Sequence, residues 1–175
     1  MLRKIKIVLV GLVGLLVILG LVMFAGNDGP ARISSVEAEI LTFEGGQFSA
    51  GTTIQARELN RDGNPDLRME MKLPDEEGAI HIWNNDESAY YLHTPSSDSW
   101  LKISEDNLGE DSLKFSGLAD NLQNWAKEYG EGSHKVEYQG HSMEIRINEV
   151  NPDLSDELFK PPEDAEIQNY NDTNK

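Results

Sequence analysis

Four histidines and 31 acidic residues are the groups in this chain that could do acid–base or metal chemistry. His81 and His93 fall on what read as neighbouring strands, and His134 and His141 flank a further hairpin. A closed zinc site would need all four to converge, and no HExxH or comparable spacing is present. Isolated sheet or surface histidines are expected, with no metal. Carboxylates this numerous single out no catalytic pair. The sequence Asp62-Gly63-Asn64-Pro65-Asp66 has the look of a calcium loop but not its spacing or its terminal glutamate, so it reads as a β-turn. There is no cysteine, which excludes disulfides, thiolate nucleophiles, thiolate metal sites and a lipidated N-terminal cysteine. GxSxG, glycine-rich phosphate loops and dinucleotide fingerprints are also missing. The expectation is a protein that is not an enzyme and holds no cofactor.

Charge is distributed unevenly. Arg3, Lys4 and Lys6 precede an apolar run, leaving 12 of the 15 basic residues to face all 31 acids beyond it. A surface this negative repels nucleic acid and anionic headgroups. The acids are scattered, which reads as a solvated surface. The run itself, Ile7 to Ala25, carries no charge, and at 1.5 Å per residue spans about 28 Å, close to a hydrocarbon core. It is long for a cleaved signal, and Ala25 at a cleavage site would put Met23 where a small residue is wanted. The run therefore predicts one retained transmembrane helix, with a cytoplasmic N-terminus and the rest of the chain extracytoplasmic at the cell membrane. The expected divisions are an anchor over 1–26, a linker over 27–32, a β domain over 33–168 and a polar tail over 169–175. A glycosylation sequon, Asn171-Asp172-Thr173, falls in that tail.

Strands must position whatever the domain binds. Leu67, Met69, Met71 and Leu73 alternate with Asp66, Arg68, Glu70 and Lys72, and Met143, Ile145 and Ile147 alternate with Glu144, Arg146 and Asn148. Phe48, Ala50, Thr52, Ile54 and Ala56 give a more polar third case, and further strands are expected over 33–43, 79–84, 88–93, 99–103 and 134–139. Short turns between them predict an antiparallel meander with no parallel crossover. One helix is expected over 117–129, with Leu118, Leu122, Trp125 and Tyr129 on one stripe, Ser116 capping its start and Gly130 ending it. A loop is expected over 104–114 and a short turn in Pro152 to Phe159. One helix about 10 Å across covers about three strands, so the remaining apolar strand surface must curl on itself or stay open to a ligand or partner. Trp83, Trp100 and Trp125 are candidates to line such a concavity, though tryptophans more often pack core or rim.

The stretches Asp66–Met71, Ile82–Leu92 and Pro95–Lys102 resemble the LolA/LolB-like superfamily of outer-membrane lipoprotein carriers. The ending is similar too: Asn151–Phe159 and then Pro161–Ile167, where members carry an acidic turn, a leucine–phenylalanine pair and a final short strand. The resemblance covers most of residues 33–167 and is a pattern of hairpins. It implies a strongly curved antiparallel sheet or half-open barrel, mainly β with one covering helix, and an apolar cavity that holds acyl chains. The chain departs from the carriers in its membrane anchor, in lacking the lipidated cysteine of the outer-membrane acceptor, and in having fewer helical segments.

Together these readings predict a membrane-anchored domain that binds a lipid or acyl-chain ligand in a concave apolar cavity. Met69, Met71, Leu73, Leu118, Leu122, Trp125, Met143, Ile145 and Ile147 are the expected lining residues. Methionine suits irregular apolar ligands. The alternative is a non-enzymatic envelope interaction module with a fully packed sheet, and a hydrolase ranks last.

Overall fold

The computed structural model describes residues 32–45, 48–60, 65–73, 76–108 and 113–170. The expected anchor over 7–25, the linker up to Ala31, the turn at Arg61–Asn64 and the sequon at 171–173 lie outside them. Among the described residues no helix is long and apolar enough to cross a membrane.

The unit that begins at Ile33 is mainly β. Its strands are β1 (Ser35–Phe43), β2 (Thr52–Arg57), β3 (Asp66–Leu73), β4 (Glu76–Asn84), β5 (Ala89–His93), β6 (Ser99–Ser104), β7 (Gly132–Tyr138), β8 (His141–Val150) and β9 (Glu166–Asn169). Helices α1 (Glu105–Leu108) and α2 (Leu113–Tyr129) separate β6 from β7, and a 3-10 turn, Asp156–Phe159, precedes β9. The nine strands form one unclosed sheet in the order β7-β8-β1-β2-β3-β4-β5-β6-β9.

The expected all-antiparallel meander needs correction in two places: β8 pairs with β1, which is not its neighbour in the chain, and one edge of the sheet is parallel. β9 pairs with β6 in parallel, Ser99 opposite Glu166 and Lys102 opposite Asn169. A parallel neighbour requires a long crossover, and Asn151–Ala165 supplies it by running over one side of the sheet. The loop expected over 104–114 also differs. Glu105 and Asp106, favourable at a helix N-terminus, open α1. Helix α2 starts at Leu113 instead of after Ser116; Phe115 stands three residues before Leu118, so the helical period continues a turn earlier. Its end is as expected: Gly130, at φ +71, donates its N–H to the carbonyl of Ala126 at 3.0 Å. Gln139 and Gly140, both at positive φ, form the tight two-residue turn of the β7–β8 hairpin.

Because β6 and β7 lie toward opposite ends of the sheet, the chain between them must cross a face, and α2 is that crossing. On its side gather Val36, Ala38 and Ile40 of β1, Ile54 and Ala56 of β2, Leu67 and Met69 of β3, with Val136 of β7 and Leu118, Leu122 and Trp125 of α2. The other side carries a smaller cluster: Ile82, Ala89, Tyr91, Trp100 and the fully buried Phe159. The C-terminal crossover is pinned there by polar groups. Asp66 accepts from Arg57 Nε at 2.8 Å and from the Asn85 N–H at 2.7 Å. Arg57 pairs in addition with Asp156 and lies 4.6 Å over the Phe159 ring. Asn84 donates to the Phe159 carbonyl at 3.0 Å, and Arg68 to that of Leu158 at 3.2 Å.

Candidate functional site

The helix-facing side of the sheet is the candidate site. Strand alternation decides which side chains reach it. Ile54 stands opposite Met69 and Ala56 opposite Leu67; Leu67 in turn faces Trp83, and Met69 faces His81. Trp83 then stands opposite Tyr90 and His81 opposite Leu92. Ala38 opposite Ile147 and Ile40 opposite Ile145 extend the same surface to β8. Helix α2 is held against it at one end by Gln123, whose Nε2 lies within 3.0 Å of the Ile33 and Leu59 carbonyls and of Asn60 Oδ1.

Of the nine expected lining residues, Met69, Leu118, Leu122, Trp125, Met143, Ile145 and Ile147 are buried together in this one cluster. Met71 is half-buried at its margin. The side chain of Leu73 lies outside the described residues. The margin continues as half-buried Phe43, Phe48, Leu92 and Ile103. Phe43 and Phe48 pack at 5.4 Å between ring centroids, and Phe48 meets Tyr138 at 6.1 Å; Tyr138 in turn meets Trp125 edge-on at 6.3 Å. Offset and tilted ring contacts of this kind favour an adaptable aromatic surface.

Sequence reasoning singled out Trp83 as a candidate for this side but did not bring His81 and Tyr90 to it. His81 and Tyr90, on β4 and β5, are hydrogen-bonded through His81 Nδ1 and the tyrosine hydroxyl. Burial pushes the His81 imidazole below its ordinary value and the Tyr90 phenol well above its own, so both are neutral near pH 7. Beside them Trp83 is buried. Its Nε1 has no hydrogen-bond partner among the described residues. The signal was obscured because β4 is apolar on both sides: Ile80 and Ile82 face the C-terminal crossover while His81 and Trp83 face α2.

The histidines do not gather. His81 stands opposite Leu92 and His93 opposite Ile80, which puts these two on opposite sides of the sheet. His93 packs against Trp100, His134 stacks on Tyr129, and His141 meets the edge of Phe43. Among the described residues no group of three histidines or carboxylates is placed to hold a metal. The tryptophans divide likewise, Trp83 and Trp125 on the helix-facing side and Trp100 on the other. No protein-family model and no curated protein matches this chain.

Proposed function

We propose that this chain is a membrane-anchored, extracytoplasmic domain that binds a lipid or other apolar ligand between its sheet and α2, without turnover. The observation that carries the reading is the extent of the helix-facing apolar surface. Its buried cluster draws on β7, β8, β1, β2, β3, β4 and β5. At about 4.8 Å per strand those seven strands span about 29 Å, against a helix about 10 Å across. One helix serves so wide a surface only if the sheet curves strongly around it. The register shifts between β1 and β8 and between β3 and β4 support that curvature, since bulges bend and twist a strand. Met71, Phe43, Phe48, Leu92 and Ile103 remain half-buried where the helix gives out, which suits an adaptable acyl site. The resemblance to the lipoprotein carriers and the apolar run Ile7–Ala25 behind Arg3, Lys4 and Lys6 point the same way.

A second reading is favoured by the near-complete burial of Leu122, Met143 and Ile145, each 0% exposed. A sheet fully packed against α2 would be an envelope interaction module. The full chain, extracted and held in amphipol, separates the two when titrated with a fluorescent fatty-acyl probe. Saturable binding is expected, weakened at least about tenfold by Met71→Glu, since a charge entering an apolar contact costs more than 1.4 kcal/mol. Circular dichroism checks that the variant keeps its sheet. No saturable binding of any acyl ligand to the folded parent would sink the carrier reading and leave the interaction module.

A further inference from the structure

On the helix-facing side the polar tips of His81, Trp83 and Tyr90 stand among aliphatic neighbours. Register places Trp83 between Leu67 and Tyr90, and His81 between Met69 and Leu92. His81 and Tyr90 bond to each other. Trp83 differs: it is 6% exposed, and its Nε1 has no partner among the described residues. An indole N–H can only donate, and a buried donor without an acceptor is a standing cost to the fold. A phenylalanine would carry no such donor.

Resting on the apolar-ligand role proposed above, we infer that Trp83 Nε1 is the polar contact of the site, donating a hydrogen bond to an uncharged carbonyl oxygen, so that the preferred ligand is an esterified acyl chain. Charge sets the class. The strand cations Arg57, Arg68, Lys72, Lys102, Lys135 and Arg146 all alternate onto the opposite side from Trp83. Among the described strand residues none offers a free carboxylate a counter-charge on this side, and a buried charge left uncompensated is heavily penalised. Burial keeps His81 neutral, so it supplies no positive charge either. A hydrocarbon brings no acceptor and leaves the indole as it was. An ester brings an acceptor without a charge and needs no proton uptake to do so, so of the three it repairs the unpaired donor at the least cost.

The test uses the full chain in amphipol, labelled with 15N at its three tryptophans. The indole signals are assigned with the single Trp→Phe variants. Methyl palmitate, palmitic acid and hexadecane are added separately. Methyl palmitate should move the Trp83 indole proton downfield and bind roughly five- to tenfold tighter than hexadecane, the range a single buried hydrogen bond supports. Trp83→Phe removes the donor along with part of the ring, so it should bring the ratio of methyl palmitate to hexadecane affinity down to about one, whatever the smaller ring does to both ligands. The indole shift is read in the parent chain, so it decides the matter even if that variant folds poorly. Palmitic acid binding tightest, or methyl palmitate binding without moving the Trp83 signal, would overturn the inference while leaving apolar binding in place. No binding of any of the three would remove the carrier reading along with it.

Discussion

Asp66 and the half-buried His81, on opposite sides of the sheet, are handled in opposite ways. Asp66 is 1% exposed and has its charge met by Arg57 and the Asn85 N–H, so its carboxylate is compensated where it sits. At His81, burial lowers the pKa. The folded chain therefore binds that proton less readily than the unfolded chain, whose imidazole titrates near an ordinary value of about 6.5. Below that value unfolding takes up a proton, so stability falls as the pH falls; above it the contribution of His81 is fully present. Urea unfolding between pH 7.5 and 5.5 should show a steeper loss in the parent than in His81→Gln. Equal slopes would mean that His81 does not titrate differently on folding. Neither residue announces this role in the sequence. Asp66 reads there as the polar half of an alternating strand, and its partner Arg57 belongs to a different one.

At the scale of elements, α2 shows what a local pattern can and cannot fix. Its C-terminus is written in the chain, because Gly130 adopts φ +71 and a β-carbon there would meet nothing within 4 Å. Gly130→Ala should thus cost only the backbone strain of a left-handed alanine, about 1 kcal/mol by thermal unfolding, and Gly130→Asn should recover part of it. A loss several times larger would place a neighbour in that space. The strands at 67–73 and 143–147 were equally legible, because each has one side against α2 and alternates cleanly. The start of α2 was missed because Ser116 makes a plausible cap, while the stripe itself continues back through Phe115. The parallel pairing of β9 could not be read at all. Its residues, Glu166-Ile167-Gln168-Asn169, carry no periodic signal, and its neighbour is set by the path of the crossover before it. Trp83 was visible as a tryptophan, but only the β3–β4–β5 register places it against α2.

At the scale of the whole domain, the sheet is covered on both sides. Helix α2 lies on one side of the sheet, and the segment from Asn151 to Ala165 on the other, against Ile82, Tyr91 and Trp100. The second cover matters to the first, because strands fixed from behind hold the surface that α2 packs against. Phe159 is the pin. It is 0% exposed, lies under the Arg57 guanidinium, and offers its carbonyl to Asn84. Phe159→Ala removes a buried ring and should cost about 3–5 kcal/mol. The loss should also be local in its first effect. Amide hydrogen exchange should quicken in β4 and β5, which meet the crossover, before it quickens in β7 and β8, whose buried side chains pack with α2 instead. Uniform quickening over all strands would show that the two covers unfold as one cooperative unit. Unchanged stability and exchange would mean that the C-terminal segment only rests on the sheet.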